Sequence, residues 1–163
     1  MKTERNEKIL DRVQEWIKSV DQKVSIFLAF QGVVIALLIP KIQLSPFLNF
    51  KNPYYTPLGV ILYMTSLLLL IFSCYKSISV IIPRLFKIGT QSITYFGDIA
   101  SMRLSEYKKL LNKTNETEYQ DELINQIHIS AIIAKNKHEQ FREAVILFCI
   151  GIILLLIQLL ILF

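Results

Sequence analysis

The chain has 163 residues, of which 53% are apolar, and its formal net charge is +5. A soluble domain of this length has near-average hydrophobicity, whereas the mean hydropathy here is positive. The composition therefore excludes an ordinary soluble protein and predicts an integral membrane protein. The excess of Lys and Arg is explained by membrane topology, so the charge alone does not indicate a nucleic-acid partner.

Residues 1–20 are predicted to form an amphipathic cytoplasmic helix. Its apolar side chains recur at spacings of three and four and define one helical face: Ile9, Leu10, Val13, Trp16, Ile17 and Val20. Three alternatives remain open for this face. It could pack on its own subunit, lie on the membrane surface, or bundle with copies from other subunits.

Residues 21–83 are predicted to hold the first two transmembrane helices and a short outer loop. The runs 24–39 and 57–75 are uncharged, and prolines alternate with aromatic residues between them. That mixture is typical of a turn at the membrane interface. Gln31 lies near the middle of the first run, where an unpaired amide is costly. We therefore expect it to face another helix or a water-filled pore.

Residues 84–143 are predicted to form a cytoplasmic helical hairpin, and residues 144–163 the third transmembrane helix. No Gly or Pro occurs from Glu118 until Gly151, so the last helix should continue from the hairpin into the membrane. Steps of four and three along it predict a coiled-coil seam: Leu123, Ile127, Ser130, Ala134, Lys137, Phe141, Ala144 and Phe148. Lys137 is either a snorkelling or register-setting residue, or part of a shared anion site.

Positive charge predicts the orientation in the membrane. The N-terminal arm holds six Lys and Arg residues, the loop at 40–56 holds two, and residues 76–143 hold ten. The positive-inside rule then places the N-terminus and the long segment in the cytoplasm.

The sequence contains none of the common catalytic motifs. It has no Gly-rich phosphate loop, GxSxG elbow, HExxH or Cys-x-x-Cys. His128 and His138 lie about 15 Å apart along one helix, too far to share a metal without other ligands. We therefore expect no enzymatic activity, no metal and no cofactor.

The polar residues of the spans are the candidate pore-lining groups: Ser25, Gln31, Ser73 and Gln158. Three spans per chain cannot enclose a wide pore, so conduction requires a homo-oligomer with cyclic symmetry, for which we favour a tetramer.

Basic and aromatic residues of the cytoplasmic part are the candidate ligand-binding groups. Phosphates could be held by Arg84, Lys87, Arg103, Lys135, Lys137, His138 and Arg142, and bases could stack on Tyr95, Phe96 and Tyr107. The alternative is that these residues only anchor the helices at the anionic inner leaflet of the bilayer.

Several positions resemble the transmembrane effector family of bacterial Pycsar anti-phage defence. They are Asp21, Lys23 and Gly32 around the first span, and Tyr95, Phe96, Asp98, Tyr107, Gln126, Ser130, Ile133, Lys137 and Ala144 in the later part. The chain departs from the family at His138, where an aromatic residue usually follows the lysine.

The resemblance implies a membrane effector that responds to a nucleotide signal from a partner nucleotidyltransferase or cyclase and then compromises the inner membrane. A similar architecture occurs in the Hailong defence system, whose effector resembles an oligomeric ion channel controlled by single-stranded deoxyadenylate oligomers. Our leading hypothesis is thus an all-α, three-span, nucleotide-regulated ion channel that permeabilises or depolarises the membrane. The alternative is a non-conducting anchor or scaffold whose cytoplasmic helices recruit a soluble partner.

Overall fold

The computed structural model describes residues 2–38, 57–82 and 92–162, with the side chains of 38, 57, 58, 96 and 159–162 excepted. These residues form five helices: α1 (Lys2–Leu38), α2 (Pro57–Ile81), α3 (Phe96–Ser101), α4 (Leu104–Lys113) and α5 (Glu116–Leu162). Three helical segments are long and apolar enough to cross a membrane: Lys2–Leu37, Gly59–Ile81 and Glu116–Gln158. The prediction of an all-α membrane protein with three spans is confirmed. The predicted outer loop lies outside the described residues.

The chain divides into two compact units. The first unit comprises Met1–Val20 and Pro83–Lys137, and the second comprises Asp21–Ile82 and His138–Phe163. Both α1 and α5 begin in the first unit and continue into the second, so they run in the same direction. The 47 residues of α5 form one helix, as predicted from the lack of Gly and Pro before residue 151.

In the first unit α1 packs along α5 of the same chain. The inward positions of α1 follow a seven-residue repeat, and Asn6, Val13 and Val20 are 8%, 4% and 0% exposed. Gln120 of α5 donates a hydrogen bond to the Thr3 hydroxyl at 2.9 Å. Packing on its own subunit is therefore the alternative that the structure supports for the apolar face of α1.

The seam predicted along α5 is found, and in the second unit it faces both α1, through Phe27 and Phe148, and α2, through Ser73 and Ala144. Leu123 and Ala134 are buried in the first unit, Ala144 and Phe148 in the second, and the other predicted seam positions are partly buried. The predicted apolar face of α1 is buried only in part, because Ile9 and Trp16 are 40% and 53% exposed. They follow the three-and-four spacing, but they lie beside the buried seven-residue repeat and not in it.

The second unit is a three-helix bundle of α1, α2 and α5. Leu70, Phe148 and Leu155 form its buried apolar cluster, and the Phe27 ring meets the Phe148 ring edge-to-face at 5.4 Å. Gly151 brings α5 close to α2, since a Cβ there would lie 3.1 Å from Leu70 Cγ. Small residues at such crossings allow membrane helices to approach closely.

Candidate functional site

A hydrogen-bonded chain ties the three helices of the second unit together. Gln31 of α1 is fully buried, and its Nε2 donates to Ser73 Oγ of α2 at 2.6 Å. Ser73 Oγ in turn donates to the backbone oxygen of Ala144 in α5 at 2.7 Å. The single hydroxyl proton of Ser73 points to Ala144, so Ser73 accepts from Gln31, and this fixes the orientation of the amide.

Other polar side chains are buried in the same bundle. Ser66 and Ser77 are both 0% exposed, and Gln158 Nε2 donates to the Gly59 oxygen at 3.3 Å. We call these residues the polar seam: Gln31, Ser66, Ser73, Ser77 and Gln158. Three of its buried atoms, Gln31 Oε1, Ser77 Oγ and Gln158 Oε1, have no hydrogen-bond partner in the described chain. Each such atom costs about 1–3 kcal/mol.

Three of the four predicted pore-lining residues thus lie inside the bundle of one chain. Ser25 does not: it is exposed, and its hydroxyl donates to the Asp21 oxygen of its own helix at 2.9 Å. Ser66 and Ser77 were not among the four predicted pore-lining residues. Their spacing of seven and four from Ser73 placed them on the same face of α2 and could have identified them.

In the first unit a cluster of hydrogen bonds holds residues 92–95 on α5. Glu122 Oε1 accepts from the Thr94 N–H at 3.2 Å and from its hydroxyl at 2.9 Å, and it also accepts from the Ser92 hydroxyl. Gln126, one turn later, donates to Ser92 Oγ at 3.3 Å. Asp98 accepts from the Ser92 N–H at 3.0 Å. Two side chains of α5 thereby fix the backbone that leads into α3.

The predicted aromatic ligands belong to this packed side of α5. The Tyr107 hydroxyl donates to the Ile93 oxygen at 3.2 Å. The Tyr95 ring lies over Gly97, where a Cβ would be 2.7 Å from Tyr95 Cε1. Arg103 is exposed at the start of α4. Arg84, Lys87 and the Phe96 side chain lie outside the described residues.

The predicted basic residues of α5 divide between its sides. Lys135, His138 and Arg142 are exposed, whereas Lys137 is partly buried on the seam. Lys135 and Lys137 belong to the first unit, and His138 and Arg142 to the second. Within the first unit, helical geometry places Lys135 on a different side of α5 from Glu122 and Gln126. Those two residues hold the segment that contains Tyr95.

Sequence reasoning placed Ile9 and Trp16 on the apolar face of α1, but it missed the two arginines beside them. Arg5, Ile9, Arg12 and Trp16 are exposed and follow steps of four, three and four, so they share one face of the helix. In a parallel helix pair this face of α1 borders the exposed side of α5. We call the combined surface the open flank: Arg5, Ile9, Arg12 and Trp16 of α1, with Ile124, His128, Ala131 and Lys135 of α5. The seven-residue repeat of Asn6, Val13 and Val20 marks the buried side of α1. That repeat is the sequence signal that could have identified the exposed face beside it.

The side of the helix pair opposite the open flank carries a tyrosine–carboxylate contact. Tyr119 donates a hydrogen bond to Glu7 at 3.2 Å. Burial and this hydrogen bond raise the pKa of Tyr119. The hydroxyl therefore remains a donor throughout the neutral pH range and joins α5 to α1.

Glu122 is expected to control local order in the first unit. Glu122→Ala removes the acceptor of the Thr94 N–H, a charge-assisted interaction of about 1.5–3 kcal/mol. Amide hydrogen exchange measured by mass spectrometry should become about tenfold faster, or more, in a peptide covering residues 92–95. Asp121→Ala removes an exposed neighbouring carboxylate and should leave that exchange unchanged. Equal exchange in the two variants would show that Glu122 does not hold this segment.

No group of three or more His, Cys, Asp or Glu residues in the described part of the chain could hold a metal ion. No curated protein and no solved structure matches the chain. The model of the Pycsar effector protein domain, by contrast, matches residues 5–163, which takes in α5 and nearly all of α1. The expected resemblance is thus confirmed over almost the whole sequence, and the chain, a three-span membrane protein, belongs to the Pycsar effector family.

Proposed function

We propose that this protein is a nucleotide-regulated, pore-forming effector of a bacterial anti-phage defence system. It acts as a homo-oligomer with cyclic symmetry, a tetramer being favoured, in the inner membrane with its N-terminus in the cytoplasm. Opening of the pathway depolarises or permeabilises the membrane. The family provides the role of a membrane effector in defence, and the proposal adds conduction and its control by a nucleotide.

The polar seam is the observation that carries the proposed conduction. A membrane bundle held only by apolar packing has no need of three fully buried serines and two buried glutamines. Polar groups at this depth are expensive and mark functional pathways in membrane proteins. The unpartnered atoms Gln31 Oε1, Ser77 Oγ and Gln158 Oε1 would gain hydrogen bonds from water if the helices separate. The seam thus supports a pathway that is closed in this conformation and hydrated in another.

The first unit supports a regulatory role. It contains exposed cations on α1 and α5, and it shares both helices with the bundle that holds the polar seam. A ligand that binds this unit in one conformation more tightly than in another shifts the equilibrium between them. Since α1 and α5 each continue into the second unit, the helices themselves are the connection for such a shift.

Flux measurements on purified protein in liposomes test this function. We expect ion flux that is switched on or off by one class of ligand among cyclic mononucleotides and short single-stranded deoxyadenylate oligomers. Flux that no ligand changes would overturn the nucleotide regulation but keep the pore. If correctly assembled protein gives no flux under any ligand, the proposal is wrong, and the non-conducting anchor that recruits a soluble partner becomes the better description.

A further inference from the structure

The open flank combines positive charge with an exposed aromatic ring. Arg5 and Arg12 are exposed, and neither forms an ion pair with any described carboxylate. Trp16, 53% exposed, lies one helical turn beyond Arg12, which places their Cβ atoms about 5–6 Å apart. That separation is comparable with the distance between the phosphate and the base of one nucleotide.

Exposure of Trp16 needs an explanation, because in the part of α1 that belongs to the first unit Trp16 and Ile9 are the large apolar side chains that stay exposed. Val13 and Val20, which flank it at neighbouring turns, are 4% and 0% exposed. A large ring left in water one turn beyond Arg12 costs free energy that a ligand could recover by covering it. Together with Ile9, which is 40% exposed, Trp16 marks the open flank as a surface that another molecule covers.

Charge decides which kind of molecule fits. Arg5, Arg12 and Lys135 are exposed cations of the open flank, and the exposed carboxylates on the same side of α5 are Asp121 and Glu139. A twofold contact that pairs this surface with its own copy would bring like charges together, which opposes that contact. An anionic ligand is attracted instead, and an aromatic ring beside arginines suits one that carries a base as well as a phosphate.

We propose that the open flank binds a nucleotide ligand, with phosphates held by Arg5 and Arg12 and the base stacked on Trp16. Lys135 of α5 adds to the positive potential of the same surface. This inference rests on the proposed nucleotide regulation and assigns it a place, which differs from the side of α5 that holds Tyr95 and Tyr107. Because α1 also contributes Gln31 to the polar seam, the ligand would contact a helix that forms part of the proposed pathway.

The chain provides its own reporter for this site, since Trp16 is its only tryptophan. Fluorescence of the full-length protein in detergent is titrated separately with cyclic mononucleotides of each common base, with short deoxyadenylate oligomers, and with inorganic phosphate. We expect saturable quenching by one nucleotide class, because base stacking quenches indole emission. The apparent affinity should fall as salt rises, which reports the phosphate contacts.

Variants then separate the two parts of the site, with binding measured by calorimetry so that no tryptophan is required. The double change Arg5→Ala and Arg12→Ala should weaken binding about tenfold or more, as should Trp16→Ala. Trp16→Phe keeps an aromatic face and should bind within about threefold of wild type. Lys18→Ala is the matched control, since Lys18 is an exposed cation of α1 on its other side, and it should bind as wild type does.

The outcomes distinguish this inference from the proposed function. Binding that leaves Trp16 emission unchanged and tolerates the arginine changes would place the ligand elsewhere, which overturns the inference and keeps nucleotide regulation. Failure of every nucleotide to bind would overturn both. Quenching by phosphatidylglycerol vesicles but not by nucleotides would identify the open flank as a surface for anionic lipid and would also overturn the inference.

Discussion

Replacing Gln31 with leucine is expected to abolish ion flux through the assembled protein while leaving its fold intact. The change removes the donor that Ser73 accepts from, but Ser73 keeps its own hydrogen bond to Ala144. Side-chain hydrogen bonds between membrane helices contribute about 0.6 kcal/mol on average. The change also removes the unpartnered atom Gln31 Oε1, so the net effect on stability should stay within about 1 kcal/mol.

Function should respond far more strongly than stability. A leucine in the seam presents only apolar surface to a hydrated pathway, and we expect flux in proteoliposomes to fall about tenfold or more, through local dewetting. Thr65→Val is the matched control, because the Thr65 hydroxyl is exposed and donates to the Ile61 oxygen of its own helix at 2.8 Å. Wild-type flux from a correctly assembled Gln31→Leu protein would argue that the seam has only a structural role.

A leucine at Gly151 should destabilise the bundle more than any surface change. A Cβ at this position would lie 3.1 Å from Leu70 Cγ and Cδ2, and 3.4 Å from the Ser66 oxygen. Leu70 is only 4% exposed and has little room to move away. Overpacking of this kind costs about 1–3 kcal/mol, and each kcal/mol lowers the melting temperature by roughly 2–4 °C in a chain of this size.

Gly32 provides the matched comparison for that substitution. It is exposed, and nothing lies within 4 Å of a Cβ built on it. Gly32→Leu should therefore keep or slightly raise the melting temperature in detergent, since leucine favours a helix over glycine by up to about 1 kcal/mol. If the two leucine variants melt together, the close approach of α5 to α2 at Gly151 does not contribute to stability.

Length and apolar content were enough to predict the helices but not their partners. The three spans and the unbroken α5 followed from runs of apolar residues and from the lack of Gly and Pro before Gly151. The α5 seam followed from its repeat. Which helix fills that seam depends on residues more than a hundred positions away, so the pairing of Thr3 with Gln120 could not be read from either segment alone.

The same limit explains why the sequence did not predict which part of the apolar face of α1 is buried, and why the picture of the site was incomplete. Ile9 and Trp16 widen the apolar face of α1. The helix could therefore be rotated about its axis in several ways that each bury part of this face. Contact with α5 sets the rotation of α1 about its axis, so that Val13 is buried and Trp16 is exposed. Hydropathy likewise predicted that Gln31 needs a partner, but not that Ser73 would provide it.

The pairing of α1 with α5 also sets an order for biosynthesis. Hydrogen-bonded Thr3 and Gln120 are 117 residues apart. The buried side of α1 can therefore contact α5 only after α2, α3 and α4 have been translated. Contacts of such large sequence separation form late in folding. A nascent chain whose α5 has not yet emerged from the ribosome lacks a helix that both units contain. Both units are therefore completed only after α5 has been synthesised.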